Sequence, residues 1–159
     1  MSSETDLGSG ISIKACRSDL GLEYPVYLTK LGRQHSFELD ESRVMLPVDI
    51  IGFNAKPDSW IVLELLEAPE FLIVSSGDML AVRRTNKARS GQIVIIKHEE
   101  RVLIKQIFIS GSGLVLRSFN QMSDLLVLPS AVSIRGTIEG LAIEKCWYKL
   151  VTSEKLPDR

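Results

Sequence analysis

Residues 91–108 read Gly91-Gln-Ile-Val-Ile-Ile-Lys-His-Glu-Glu-Arg-Val-Leu-Ile-Lys-Gln-Ile-Phe108, and this stretch decides the fold. Ile93 to Ile96 is an unbroken β-branched run of strand length, the pattern of a strand covered on both faces. His98-Glu-Glu-Arg101 is short and polar. It reads as the tip of a hairpin whose second arm returns through Val102 to Ile109.

The same grammar extends in both directions. Upstream, Trp60 to Leu66 is aromatic, β-branched and leucine-rich, bounded by Lys56-Pro-Asp-Ser59 and Glu67-Ala-Pro-Glu70, and Met79 to Val82 follows a Gly77-Asp turn. Downstream, Ser110-Gly-Ser-Gly113 forms a second tip leading to Leu114-Val-Leu116, with further strands expected at Leu125 to Leu128 and Ile134 to Ile143. Repeated short strands with polar tips predict an all-β domain of mostly antiparallel strands, coiled into a barrel-like sheet. Residues 1–42 carry weaker signals. Ile11, Ile13 and Ala15 alternate with polar residues, and Tyr24-Pro-Val-Tyr-Leu28 reads as extended because the residue before proline avoids helix. The expected organisation is a partly ordered, irregular N-terminal arm over 1–42, a β domain over 43–150 and a tail over 151–159.

Composition narrows the function classes. The chain has 159 residues, 45% hydrophobic and 25% charged, with a formal net charge of -1. Those values suit a folded domain and give no polyanion-binding surface by charge alone, so no direct nucleic-acid partner is expected. Arg83, Arg84, Lys87 and Arg89 form a local basic cluster whose plainest reading is a solvated loop. No pair of amphipathic helices joined by a tight turn is visible, so a helix-turn-helix is not supported. Two cysteines, Cys16 and Cys146, are well separated and lack a second ligand pair, which supports neither a zinc site nor a disulfide framework. No apolar run reaches membrane-span length, and residues 1–10 lack the basic start and apolar stretch of a signal peptide. The simplest expectation is a cytoplasmic protein with reduced thiols, no metal or cofactor and no membrane partner.

Lys105 is the first candidate for chemistry. In an extended 102–107 segment it shares a face with Leu103 and Ile107, while Val102, Ile104 and Gln106 take the other. Desolvation among apolar neighbours would lower an amine's pKa toward that of a general base. The alternative is a snorkelling lysine on an edge strand. His35 and His98 read as surface histidines, and no carboxylate pair stands out.

Several segments together, in order and spacing, resemble the LexA/UmuD family of self-cleaving serine peptidases. Leu103-Ile-Lys-Gln-Ile107 is similar to the family's lysine strand and follows Gly91-Gln-Ile-Val94 at the family spacing. Gly77-Asp-Met-Leu-Ala-Val82 is similar to its Gly-Asp-Leu-Leu-x-Val segment. Arg43-Val-Met-Leu-Pro-Val-Asp-Ile-Ile51 and Lys56-Pro-Asp-Ser-Trp60 resemble the approach to the serine turn. Leu116-Arg-Ser-Phe-Asn120 and Ile138-Glu-Gly-Leu-Ala142 resemble the last third. The resemblance covers roughly residues 43 to 145.

In that register the turn after Trp60 to Leu66 reads Leu66-Glu-Ala-Pro69 where the family has Gly-Asp-Ser-Met, so Ala68 takes the nucleophile's position. Alanine offers no lone pair for covalent catalysis, and Pro69 has no backbone N–H for an oxyanion contact. The alternative register, with Val74-Ser-Ser-Gly-Asp-Met79 as the nucleophile turn, leaves too few residues before Gly91.

The resemblance thus implies a pseudo-peptidase in which Lys105, the family's general base, is vestigial. It also implies a homodimer in a DNA-damage (SOS-type) response, working through contacts with a translesion polymerase or a recombinase filament. Leu31-Gly32 stands at about the distance where the family places its cleavage bond and is a candidate relic of it, although the match is poor at Leu31 and a generic Leu-Gly loop is the plainer reading. Two rivals remain open: an active Ser/Lys self-processing peptidase using a displaced serine such as Ser75 or Ser76, and a phage or mobile-element regulator that binds a repressor of the same fold.

Overall fold

The computed structural model describes residues 4–8, 10–69, 74–119 and 124–154. Twelve strands dominate: β1 (Glu4–Gly8), β2 (Ile11–Ala15), β3 (Gly21–Lys30), β4 (Ser36–Pro47), β5 (Trp60–Leu65), β6 (Met79–Arg83), β7 (Ile93–His98), β8 (Arg101–Ser110), β9 (Gly113–Arg117), β10 (Asp124–Val127), β11 (Ser133–Ile143) and β12 (Cys146–Thr152). The described helical structure is one turn of α-helix, α1 (Val48–Ile51), and a 3₁₀ turn at Pro129–Ala131. The all-β, mostly antiparallel class expected from the sequence is the class observed.

All twelve strands belong to one sheet, whose main path runs β10-β9-β8-β7-β11-β6-β5-β3-β4, with β12 joining β11 to β2 and β2 joining β1. The β3–β5 pair is parallel, and the other described pairs are antiparallel. Strand β11 spans the junction. Its first half pairs with β7, its second with β6 and β12, and bulges at Ile134/Gly136 and Ile138/Gly140 bend it between these partners.

The predicted hairpins form in register. His98 lies opposite Arg101 and Ser110 opposite Gly113. Strand β7 sends Ile93 and Ile95 into one apolar cluster and Val94 and Ile96 into another, which is why its sequence shows no polar alternation. Strand β5 divides likewise, Leu63 and Leu65 to one side and Trp60 and Val62 to the other.

Segment 1–42 contributes more strand than its sequence signals. Strands β2 and β3 cover the two expected pieces, and β3 is hydrogen-bonded to β5 from Val26↔Val62 to Thr29↔Leu65. Strand β4 was not legible because it is an edge strand. Phe37, Glu38, Leu39, Glu41, Ser42 and Arg43 are all exposed, so no buried face imposes a period of two. Strand β12 was missed as well, and it buries only Leu150.

Candidate active site

The site is assembled at the end of β5 and along β8. Strand β5 stops at Leu65, where the chain is tied on two sides. The Leu66 N–H donates to Thr29 O at 3.0 Å, and the Gly77 N–H donates to Leu65 O at 2.7 Å. The turn that follows carries Ala68, exposed, and Pro69, half-buried. Strand β8 supplies Lys105, half-buried. Its neighbours Leu103 and Ile107 belong to one apolar cluster, while Val102 and Ile104 enter another, as alternation along β8 requires.

Between the β5 turn and β8 lies a cavity of about 220 Å³, to which Leu31, Gly32, Ala68, Pro69, Lys105 and Ser118 all contribute. The four residues singled out in the sequence, from three separate segments, therefore line one concavity. The stretch around Gly32 reaches it by a β-bridge to β8: the Gly32 N–H donates to Val102 O at 2.7 Å, and the Val102 N–H donates to Gly32 O at 3.0 Å. Gly32 has φ +94°, a left-handed conformation that glycine adopts without a steric penalty. The ring Nδ1 of His35 lies 3.2 Å from the same Gly32 carbonyl, so His35 holds this corner rather than standing free on the surface. An exposed ion pair, Lys30 Nζ to Glu67 at 3.9 Å, links the end of β3 to the β5 turn.

Sequence reasoning gave no role to Ser118. Lys105 Nζ donates to Ser118 Oγ at 2.7 Å. The signal was present in the predicted hairpin: a tip that pairs Ser110 with Gly113 places Lys105 opposite Ser118, five residues along each arm. Ser75 and Ser76 lie elsewhere. The Ser75 N–H donates to Asp78 Oδ2 at 2.9 Å and Ser76 Oγ donates to Leu66 O at 2.9 Å, so both serve the turn before β6, and neither lines the cavity.

Chemically, the cavity offers the Lys105 amine with the Ser118 hydroxyl in contact with it, the Glu67 carboxylate, the Thr29 hydroxyl, which donates to Tyr27 O, and, at position 68, a methyl group. Among the described residues no group of three His, Cys, Asp or Glu is arranged to hold a metal ion, and no helix is long and apolar enough to cross a membrane.

Residues 69–139 match the Peptidase S24-like family. The LexA repressor of Dechloromonas aromatica is 39% identical over 71 residues, which is 44% of this chain and 34% of that protein. The LexA repressor of Haemophilus ducreyi is 32% identical over 98 residues, 61% of this chain and 45% of that protein. A Haemophilus influenzae LexA repressor is 34% identical over 70 residues, covering 44% of this chain and 34% of the repressor. The chain thus spans between a third and a half of the length of these relatives. The matched segment contains β6 to β10 and most of β11, with Lys105 on β8 and Ser118 just after β9. In matched segment, relatives and fold, the chain resembles the LexA/UmuD family.

Proposed function

We propose that this chain is a non-cleaving, UmuD-like member of its family, acting through protein–protein contacts in a DNA-damage response, as an accessory to a translesion polymerase or a recombinase filament. The observation that carries the reading is the side chain at position 68. The turn that lines the cavity with Lys105 presents a methyl group, followed by a proline without an N–H. Such a cleft can still seat the Gly32 segment without breaking it. The reading includes a homodimer. In its favour, β10 is an edge strand with Leu125, Leu126 and, just beyond it, Leu128 exposed. The test is incubation of the purified chain at alkaline pH, and separately with an activated recombinase filament, followed by intact-mass analysis. An unchanged mass is expected; a fragment cut near residue 32 would refute the proposal. Capture of a helix-turn-helix repressor in preference to a polymerase would favour the regulator reading instead.

A second reading has a specific observation behind it. The 2.7 Å contact between Lys105 Nζ and Ser118 Oγ is a Ser/Lys pair within hydrogen-bond reach, in the cavity that also holds Leu31 and Gly32. Under it, Ser118 rather than Ser75 or Ser76 is the displaced nucleophile. If cleavage appears and is abolished by Ser118→Ala, with folding intact by circular dichroism, this reading replaces the first.

A further inference from the structure

We infer that the β6–β7 loop is a docking site for an acidic peptide segment of a partner protein. From Met79 to His98 the chain contains five cations, Arg83, Arg84, Lys87, Arg89 and Lys97, and no Asp or Glu. The whole chain has a formal charge of -1, so the other residues carry a formal -6 and the charge is strongly segregated.

The fold turns this run into a concavity of about 330 Å³, lined by Arg83, Thr85, Lys87, Arg89, Gln92 and Thr137. Arg83, Arg84, Lys87 and Arg89 are all exposed. Among the described residues, none of the four has a carboxylate within ion-pair distance. The loop itself is held in shape. The Arg89 N–H donates to Gln92 Oε1 at 2.7 Å, the Lys87 N–H donates to Thr85 Oγ1 at 3.1 Å, and the Arg84 N–H donates to Ser59 O at 2.8 Å. Backbone N–H groups along the loop are therefore engaged, while its four cationic heads have no ion-pair partner among the described residues. Glu139 lines a groove with Arg83 and accepts a 2.6 Å hydrogen bond from Thr137 Oγ1.

Two arginines and a lysine line the concavity and Arg84 lies next to it in the chain, a set that favours a ligand with planar, two-oxygen acceptors, which guanidinium forks engage in pairs. A carboxylate-rich peptide fits better than a nucleic acid on two grounds. No aromatic side chain lines the concavity, so a single strand would find no stacking platform. A polyanion longer than the patch would also run onto the acidic remainder of the surface, whereas a few carboxylates are satisfied within the loop. This site is independent of Ala68 and of whether the cavity beside Lys105 is active.

The experiment uses the full chain and a short fluorescein-labelled Glu/Asp-rich peptide, followed by fluorescence anisotropy, with a Gln/Asn-substituted peptide and labelled single- and double-stranded DNA in parallel. The acidic peptide is expected to bind, with affinity falling about tenfold between roughly 50 and 200 mM salt. The Arg84→Glu/Arg89→Glu variant, whose thermal midpoint should match the parent because both side chains are exposed, is expected to weaken binding by about tenfold or more. The neutral Arg84→Gln/Arg89→Gln pair should fall between the two. Equal binding of the Gln/Asn peptide, unchanged affinity in both variants, no binding of the acidic peptide, or preference for either DNA would each overturn the inference.

Discussion

Lys105 Nζ donates to Ser118 Oγ at 2.7 Å across the β8–β9 hairpin, and the Ser110–Gly113 tip sets that pairing. The amine is thus engaged by a hydroxyl just beyond β9, whereas the β5 turn presents Glu67, the Ala68 methyl and Pro69 to the cavity and no hydroxyl. Under the proposed reading, the loss of a nucleophile is a property of the whole turn, because Leu66, Glu67, Ala68 and Pro69 all differ from the Gly-Asp-Ser-Met pattern.

Ala68→Ser alone is accordingly expected to leave the chain uncut. A serine placed there would still lack the donor that Pro69 cannot supply, and loss of one oxyanion donor typically costs about 10²–10³ in rate. Intact-mass measurement after prolonged incubation at alkaline pH checks this. Robust cleavage by the single variant would show that the rest of the site is functional.

Asp124 anchors β10 through Arg117, whose side chain is 4% exposed and makes two short bonds to the carboxylate, at 2.9 and 2.8 Å. The guanidinium also sits over the Phe108 ring. Asp124→Ala would leave a nearly buried cation without this carboxylate. The expected destabilisation is about 2–3 kcal/mol, below the full cost of breaking a buried pair because Asp124 itself is 27% exposed. Arg117→Met, which removes the buried charge and leaves the more exposed Asp124 carboxylate to solvent, should cost less. Urea midpoints of the two variants decide the order.

The hairpin tips are strained. Glu99 and Glu100 have φ values of 50° and 65°, the conformation of a two-residue turn that favours Asn-Gly. Glu99→Asn with Glu100→Gly is expected to stabilise the protein by about 1 kcal/mol, read as a raised thermal midpoint. An unchanged or lowered midpoint would mean that the two glutamates have compensating contacts at the tip.

What could be read from the chain follows from where burial imposes a pattern. Strands β5, β7 and β8 sit inside the sheet, so Trp60, Val62, Ile93 to Ile96, Val102 and Ile104 had to be apolar, and their segments announced themselves. Strand β4 has an outer edge that is unpaired in the sheet, and its Glu38, Asp40 and Glu41 obey no such constraint. The bridge from Gly32 to Val102 joins residues seventy apart through backbone atoms alone, which leave no trace in side-chain pattern. Ser118 is the opposite case. Its position opposite Lys105 was computable from the Ser110–Gly113 tip, but a serine beside Arg117 and Phe119 carries no periodic signal to prompt the count.

Asp49 ties α1 to the segment after β2. Its carboxylate accepts the Arg17 N–H at 3.0 Å and the Ser18 N–H at 3.2 Å. The bond from Arg17, with that from Ser18, holds the carboxyl below its ordinary value of 3.8 despite partial burial. A depressed carboxyl contributes stability above its unfolded pKa of about 3.9 and loses it as pH falls through the folded value. Asp49→Asn is therefore expected to cost about 1 kcal/mol at pH 7, discounted for solvent screening, and progressively less below pH 4. Parallel denaturation curves at the two pH values test the closing gap.

Cys16, just after β2, and Cys146, at the start of the neighbouring β12, meet different surroundings. Cys146 is exposed, whereas Cys16 is half-buried against the cluster that holds Tyr24 and Trp60. Burial first, and the Asp49 carboxylate second, push the Cys16 thiol up to about 11. At pH 8 only about one Cys16 in a thousand is then thiolate, the reactive form. Iodoacetamide at that pH is expected to label Cys146 well before Cys16, by peptide mass spectrometry. Asp49→Asn removes the second cause and should speed labelling of Cys16 without changing Cys146. Equal rates at both cysteines in the parent chain would mean that the β2–β12 edge opens to solvent far more often than its five paired positions suggest.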